Sequence, residues 1–377
     1  MMICYAGRTR RLRVRVLPDG TVERHDDVRV GACTEITGAD GVREHRVSPL
    51  FEDRVRDLRP AELDTAELVE LARAQEVTLT AALFHQHVLA GPPEVLRFDE
   101  RHVASLTIST EGGWDVVGWR DPAPLAVPGA VEALRRRNSL PFADLPPEAD
   151  LVLAPGRAGS FFHELLGHPM EADVLASGTS WLSRRAGDRV APAWLTVIDG
   201  LADPAGGYHA VVDDEGTPTT AVPLLDAGVV GSPMTDRSAA AALGLPATGH
   251  GRRLDHRHPA VVRMAHTRAQ FPLDTPVTPS RHAEIRPFGL ALVRMNVATG
   301  EFVFRAGTAL LQGEHRLRPF EIHGRADEVL AALEPVDPEV RAYGRADRGC
   351  GKLGQFPLPV SFANAGVRLP AGSVVLR

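Results

Sequence analysis

The chain has 377 residues, of which 44% are hydrophobic and 24% are charged, and its formal net charge is -6 at pH 7. This length and composition predict two domains with a substantial core and argue against disorder. Acidic and basic residues are interspersed, so the chain lacks the basic footprint of a protein that binds duplex DNA. We therefore expect no nucleic-acid partner.

Cysteine usage and hydropathy indicate the compartment. Cys4, Cys33 and Cys350 are too few and too far apart for a disulfide framework, which favours a reducing environment. Arginines begin at Arg8, where a signal peptide would have its apolar core, and no apolar run approaches the roughly 20 residues of a membrane span. We expect a cytoplasmic protein with no membrane partner.

The first part of the chain predicts strands and two helices. His85 and His87 are spaced to share one strand face and would suit a metal, although solvent-facing histidines are the favoured interpretation. Residues 138–149 carry three prolines and no clean period, which predicts a boundary between an N-terminal domain, 1–145, and a C-terminal domain, 146–377. The predicted elements before it are a hairpin at 11–25, helices at 64–75 and 128–136, and strands at 104–109 and 114–119.

The second part predicts a larger sheet. Residues 249–259, rich in Gly, Arg and His, predict a mobile loop near a site, whose histidines could be ligands, although surface loop residues are the favoured interpretation. The predicted fold class is α+β, with a smaller N-terminal α/β domain and a larger C-terminal domain. The C-terminal domain has a strongly twisted, mostly antiparallel sheet or partial barrel, which carries the helix at 160–168 with the candidate site described below. The predicted elements are strands at 150–155, 193–199, 208–214, 290–296, 301–306, 308–311, 318–323 and 356–362, a hairpin at 223–231, and helices at 160–168, 236–243 and 327–334.

The strongest chemical signal is His163-Glu-Leu-Leu-Gly-His168. Zinc hydrolases hold the ion with imidazoles and use a neighbouring carboxylate to take a proton from water. The H-E-x-x-H spacing of zincins puts both histidines on one helix face, whereas the spacing here rotates the second by about 140°. Because Gly167 and Pro169 flank His168, we expect the helix to end or to widen into a π-type turn. The alternative is two ordinary histidines near a helix end.

Further candidates could complete such a site. Glu171 and Asp173 follow at distances suited to hydrogen bonds with ligand imidazoles. A catalytic zinc usually has three protein ligands, and Cys350 is a chemically suitable third. Its glycine neighbours shield the thiol poorly and the nearby Lys352 would lower its pKa, although a free packed thiol is an equally acceptable interpretation.

Several motifs together resemble the TldD/PmbA family, sometimes called modulators of DNA gyrase. They are 163–173, 178–180, 213–218, 248–253 and 350–355, in the family's order, and the resemblance covers residues 150–377 well. It favours the TldD side, which keeps the metal motif, and implies a zinc metallopeptidase with one Zn²⁺ per chain, held by His163, His168 and Cys350, with Glu164 as general base. The residues expected at the substrate or behind the ligands are Glu171, Asp173, Gly178, Thr179, Ser180, His250, Arg252, Arg253, Gly351 and Lys352.

The resemblance also implies an assembly of two subunits. The partner would be a PmbA-like (TldE-like) subunit without the metal motif, or a second copy of this chain, and the N-terminal domains would help to enclose a chamber. A peptide substrate would lie as an added strand beside the site. The chain departs from the family in having a shorter segment ahead of the metal motif, and His250 where an asparagine is expected.

Three functions follow from this reasoning. The leading hypothesis is hydrolysis of peptide or amide bonds by zinc and Glu164. The first alternative is a tailoring hydrolase that removes amino-acyl or short-peptide groups from small-molecule conjugates in secondary metabolism. The second is a non-catalytic partner that modulates gyrase, although the acidic charge argues against direct contact with DNA.

Overall fold

The computed structural model describes residues 1–38, 42–59, 61–117, 126–200 and 206–377, and it is a mixed α+β structure rich in strands. Its first part contains β1 (Met2–Val16), β2 (Val22–Thr37), β3 (Arg43–Val47), α1 (Asp53–Arg56), α2 (Ala66–Gln75), β4 (Thr78–Gly91), β5 (Arg97–Thr110), β6 (Gly113–Val117) and α3 (Val127–Ser139).

The first six strands form one antiparallel sheet in the order β3-β2-β1-β4-β5-β6. The predicted hairpin at 11–25 is confirmed and is longer than expected, since β1 and β2 pair from Val16↔Val22 to Met2↔Ile36. The two predicted helices are also confirmed, and their apolar faces, which include Leu68 on α2 and Val131 on α3, are buried in a core with β1, β4 and β5. The predicted strand at 114–119 is seen as far as Val117, and residues 118 and 119 lie outside the described residues.

The rest of the chain supplies the strands and helices that hold the site. They are β7 (Phe142–Ala143), β8 (Asp150–Leu153), α4 (Gly159–Phe162), α5 (Ala172–Ala176), β9 (Thr196–Asp199), β10 (Val222–Asp226), β11 (Val229–Val230), α6 (Arg237–Leu243), β12 (Gly251–Arg252), β13 (Val261–Val262), β14 (His266–Gln270), β15 (Glu284–Pro287), β16 (Leu290–Met295), β17 (Glu301–Ala306), β18 (Ala309–Leu311), β19 (His315–Leu317), β20 (Phe320–Arg325), α7 (Ala326–Ala332), β21 (Glu334–Tyr343), β22 (Cys350–Lys352), β23 (Gln355–Leu358), β24 (Ser361–Leu369) and β25 (Val375–Leu376).

Eleven of these strands form the larger sheet, in the order β11-β10-β9-β14-β24-β8-β15-β18-β19-β7, with β21 added to β24. Most neighbours are antiparallel, as predicted, and the parallel pairs are β14/β24, β8/β15 and β7/β19. Among the described residues the strand order is an open path and not a closed barrel. A separate four-stranded sheet has the order β16-β17-β20-β25, so β16 is an edge strand.

Strands β14 and β15 were not predicted, and two further differences from the predicted elements have local causes. Residues 208–214 are a loop and not a strand, because the Asp213 carboxylate accepts the backbone N–H groups of Glu215 and Thr217 at 2.9 and 2.8 Å and so replaces a ladder with a turn. Strand β21 was missed because Pro335 and Pro338 hide its period, and its pairing with β24 is irregular between Pro335 and Arg341. The division into domains at 145/146 stays a prediction. Among the described residues, no helix is both long enough and apolar enough to cross a membrane.

Buried ion pairs join the N-terminal sheet to the rest of the chain. The Arg43 guanidinium lies 2.9 Å from the Glu35 carboxylate and 3.5 Å from that of Asp236, and it also binds Glu215. One cation therefore faces three buried carboxyl groups. Burial, followed by the charges of Asp213 and Asp236, raises the pKa of Glu215 to about 8.

The raised pKa of Glu215 predicts a pH dependence of stability. Between pH 5 and 8 this carboxyl is protonated in the folded chain and ionised in the unfolded chain, so unfolding releases a proton and stability falls as the pH rises, by up to about 1.4 kcal/mol per pH unit. Glu215→Gln should remove this contribution. The check is the free energy of unfolding of the unmutated protein and of Glu215→Gln, from urea titrations at pH 5, 6, 7 and 8 with a chelator in both samples. Equal slopes of this free energy against pH in the two proteins would contradict the prediction.

Candidate metal centre

The helix that carries His163 and His168 widens between them. Helix α4 continues directly into a π-helical turn, His163–Gly167, in which the His168 N–H donates to the His163 carbonyl, and a 3₁₀ turn, His168–Met170, follows. The predicted π-type turn is confirmed, and it brings the two imidazole centroids to 5.1 Å from each other. Gly167 permits this packing, since a Cβ there would lie 1.9 Å from Met264 Sδ. The apolar side chains of the turn, Leu165 and Leu166, are fully buried and fix its position.

A short hairpin brings Cys350 to the same place. Cys350 begins β22, which pairs with β23, and its Sγ lies 2.9 Å from His168 Nε2. One ligand atom from each of His163, His168 and Cys350 lies within 4.8 Å of the other two. Two imidazoles and a thiolate are a donor set that zinc accepts in catalytic sites. Residues 182 positions apart in the chain therefore meet around one small volume.

The charges of this group suit a cation. Burial opposes ionisation of the Cys350 thiol, but the charges and hydrogen bonds of His163 and His168 outweigh it and lower its pKa to about 4. Burial also opposes the charged form of His168, yet the Glu171 carboxylate and the Cys350 sulfur raise the pKa of His168 well above its usual value. Metal ions bind the deprotonated form of a thiol, so the lowered pKa of Cys350 favours the binding of a cation at this group.

Glu164 lies beside the three candidate ligands. Its Oε2 is 3.8 Å from His168 Nε2, the nitrogen that faces Cys350. Burial raises the pKa of the Glu164 carboxyl, and the nearby histidines oppose that rise. A partly desolvated carboxylate at this distance can accept a proton from a molecule bound at the same place.

Hydrogen bonds behind His168 hold its ring. His168 Nδ1 lies 3.3 Å from the Oε2 atom of Glu171, a fully buried carboxylate. Lys352 Nζ donates to the same Glu171 oxygen at 2.9 Å and to Asp173 at 2.7 Å. The histidine therefore presents Nε2 towards Cys350, with Nδ1 turned towards a carboxylate, an arrangement typical of metal-binding histidines.

A second chain of contacts lies behind His163, and the sequence analysis missed it. His163 Nδ1 is 3.5 Å from Thr267 Oγ1, and that hydroxyl donates to Asp199 Oδ2 at 2.6 Å. His250 Nε2 lies 3.3 Å from Asp199 Oδ1, so His250 reaches the site only through this chain. Asp199 ends strand β9 and Thr267 lies on the neighbouring β14, opposite it. The one local sequence signal for this chain of contacts was Asp199, a single acidic residue at the end of an apolar strand.

These contacts predict an effect on metal affinity. Glu171→Gln removes the charge behind His168, so we expect zinc to bind about 10–100-fold more weakly. Competition with a chromophoric chelator measures this affinity. Glu339→Gln, at an exposed ion pair with Arg341, is the matched control and should leave the affinity unchanged. An affinity of Glu171→Gln equal to that of the control would contradict a role for Glu171 at the metal.

The remaining predicted residues lie around this group or away from it. Gly178, Thr179 and Gly351 are exposed, whereas Ser180 is buried and its Oγ donates to the Pro169 carbonyl at 2.8 Å. Ser180 therefore fixes the turn that follows His168.

The prediction of a mobile surface loop at 249–259 is wrong for its first half, because His250, Arg252 and Arg253 are buried. The Arg252 guanidinium stacks on the Tyr208 ring at 4.2 Å and donates to the Pro359 carbonyl. Arg253 pairs with Glu35 at 2.9 Å. Both arginines satisfy buried partners away from the three candidate ligands and hold the scaffold together.

His85 and His87 form a second group with Glu100 on the N-terminal sheet. The preferred interpretation of solvent-facing histidines is wrong, since both are buried beside the opposite strand β5. His85 Nδ1 accepts the Ala61 N–H at 2.9 Å, so its proton is on Nε2, which donates to Glu100 Oε1 at 2.8 Å. These hydrogen bonds account for His85 without an ion, whereas the buried Nδ1 atom of His87 has no hydrogen-bond partner among the described residues.

The fold and the side chains thus define an α+β protein in which two histidines and a cysteine form a group that could hold a metal ion, next to a glutamate. Residues 146–361 match the model of the PmbA/TldA metallopeptidase C-terminal domain. The chain belongs to the PmbA/TldD metallopeptidase family.

Individual relatives and structures agree with this assignment. The chain is 29% identical over 228 residues to a metalloprotease of Synechocystis sp., which covers 58% of this chain and 48% of that protein. It is 29% identical over 217 residues to a zinc metalloprotease TldD homolog of Saccharolobus solfataricus, which covers 55% of this chain and 47% of that protein. The chain thus spans about half the length of these relatives.

A solved structure shows the same fold over nearly the whole chain. The crystal structure of TldE from Thermococcus kodakarensis superposes with a TM-score of 0.73 at 17% identity, covering 99% of this chain and 96% of that one. The likeness therefore extends to the first 145 residues, where the sequence resembles the family only in general character.

Proposed function

We propose that this protein is a zinc-dependent metallopeptidase that hydrolyses peptide or amide bonds. The observation that carries the proposal is the convergence of His163, His168 and Cys350, with the Glu164 carboxylate 3.8 Å from His168 Nε2. These three side chains would hold one zinc ion per chain, and the low pKa of Cys350, about 4, suits a thiolate ligand. A bound zinc ion supplies Lewis acidity that polarises a carbonyl group and makes water more acidic.

The side chains of the protein perform the proton transfers in this proposal. Glu164 takes a proton from the water that attacks the scissile carbonyl carbon and gives it to the leaving nitrogen when the C–N bond breaks. Glu171 and Lys352 keep His168 oriented, and Thr267 and Asp199 do the same for His163. The half-buried aromatic ring of Phe362, with its centroid 5.0 Å from that of His163, limits the access of bulk water.

The edge strand β16 supports a peptide substrate. It pairs only with β17 among the described residues, so its other edge has free backbone groups. Ser160 Oγ, on the helix of the site, donates to the Leu290 carbonyl of β16 at 3.3 Å, so the helix and the strand are in direct contact. An extended peptide could add to this edge through backbone hydrogen bonds, which recognise many sequences.

We infer that the protein acts with a second subunit of the same fold. The likeness to TldE of Thermococcus kodakarensis supports a TldE-like partner, and a second copy of this chain is the alternative. Size-exclusion chromatography with light scattering, on the chain alone and mixed with a related chain that lacks the His-Glu motif, separates these two assemblies.

One assay tests the hydrolytic activity. The protein is incubated with denatured casein and, separately, with a panel of amino-acyl conjugates of small amines, with and without a chelator. New amino termini from casein that disappear with the chelator and return with Zn²⁺ are the expected result. Release of amino acids only from the conjugates would favour the tailoring hydrolase, and no release from either substrate would contradict the proposal.

A further inference from the structure

A cavity of about 230 Å³ opens beside the start of the helix that carries the candidate ligands. Its walls include the aromatic rings of Trp114, Phe288 and Tyr343, together with Ser160 and Leu290. Cavities of about 150 Å³ with apolar walls hold benzene. This cavity is therefore large enough for an aromatic side chain, and nothing in the proposed proton transfers uses it.

The cavity adjoins both parts of the proposed substrate site. Ser160 lies on α4, which continues directly into the π turn that carries Glu164. Leu290 and Ala291 line the cavity and also begin the edge strand β16. An extended peptide that pairs with β16 near Glu164 would therefore run past the mouth of the cavity, and one of its side chains would point into it.

The charges at the cavity favour an aromatic group over a simple aliphatic one. Both terminal nitrogens of Arg157 bind the Asp115 carboxylate, at 2.9 and 3.2 Å. Arg305 also lines the cavity, and its side chain has no hydrogen bond or ion pair among the described residues. A free guanidinium at the wall of an aromatic cavity attracts the face of a further aromatic ring.

We propose that this cavity receives an aromatic side chain of the peptide substrate and so sets a preference for Phe, Tyr or Trp at one fixed position relative to the cleaved bond. This inference rests on the proposed function, because it takes the substrate to be a peptide. Trp114, which is 46% exposed, comes from β6, so the N-terminal sheet contributes to substrate selection.

Two glycines allow the cavity to be filled by mutation. Gly289 and Gly307 line it, and a Cβ built on either meets no atom within 4 Å. Gly289→Leu and Gly307→Leu should therefore fold and occupy space that the substrate ring needs. Gly129 on α3 is an exposed position with the same freedom and is not among the lining residues, so Gly129→Leu is the matched control.

The test measures binding separately from hydrolysis. Zinc-loaded Glu164→Gln protein is titrated by calorimetry with an unlabelled nonapeptide of Gly, Ala and Ser around one central Phe, and with its Phe→Ala counterpart. The Phe peptide should bind at least about tenfold more tightly. Gly289→Leu and Gly307→Leu, added to this background, should reduce the difference below about threefold, and Gly129→Leu should preserve it.

Each outcome decides the proposal. No binding of the Phe peptide, equal binding of both peptides, or a difference that survives both cavity-filling changes would overturn it, whatever the hydrolytic assay gives. Aromatic preference in binding together with no hydrolysis of any substrate by the unmutated protein would leave the cavity as a peptide-binding site and contradict only the proposed function.

Discussion

Glu164→Gln is expected to lower the rate of amide hydrolysis by about 10²–10⁴-fold while the protein keeps its metal. The amide of glutamine has nearly the shape of the carboxylate but cannot take a proton from water. Its position, 3.8 Å from His168 Nε2, is beside the candidate ligands and not among them. The measurement pairs kcat for a cleaved peptide with zinc content by atomic absorption.

The same measurement on Glu339→Gln provides the control for Glu164→Gln. Glu339 is an exposed glutamate paired with Arg341, so its replacement by glutamine should change neither kcat nor zinc content. If Glu164→Gln kept most of the unmutated rate, another group would have to move the proton. If it lost its zinc, Glu164 would be a ligand.

Cys350→Ala is expected to weaken zinc binding by more than about 100-fold and to abolish hydrolysis at equal zinc concentration. The reason is that the change removes one of three proposed ligands, a greater loss than that of a group behind a ligand, which costs about 10–100-fold. The thiol is mostly buried and lies 2.9 Å from His168 Nε2, so water cannot replace it without rearrangement. Competition with a chromophoric chelator gives the affinity.

Cys4→Ala is the control for Cys350→Ala. Cys4 is also buried, lies on β1, and is not part of the group formed by His163, His168 and Cys350. It should bind zinc as the unmutated protein does. Unchanged zinc affinity in Cys350→Ala would show that the sulfur is a neighbour of the site and not a ligand.

The local parts of the site could be predicted from the sequence, because they depend on neighbours in the chain. The five-residue spacing between His163 and His168 requires a wider turn, and Gly167 and Pro169 permit one, so the π turn followed from helix geometry. Strands such as β17 could also be predicted, because a short apolar run rich in aromatic and β-branched residues after a turn is a local signal.

Features that depend on contacts across the fold could not be predicted from the sequence. Thr267 and Asp199 lie behind His163 only because β9 and β14 pair, and neither residue has a distinctive local sequence. The segment with Arg252 and Arg253 has a composition typical of surface loops, but buried partners such as Glu35 and the Tyr208 ring bring both side chains inside. The neighbours of Cys350 made it a chemically suitable ligand, but only the family resemblance favoured it over a free packed thiol, because its hairpin is far from the histidines in the chain.

X-ray absorption at the zinc edge tests the central claim most directly, since it reports which atoms surround the metal. For the zinc-loaded protein we expect one zinc per chain, with one sulfur at about 2.3 Å and two imidazole nitrogens at about 2.0–2.1 Å. In Cys350→Ala the sulfur contribution should disappear. A coordination shell without sulfur in the unmutated protein, or a sulfur signal that persists in Cys350→Ala, would contradict the His163, His168 and Cys350 site.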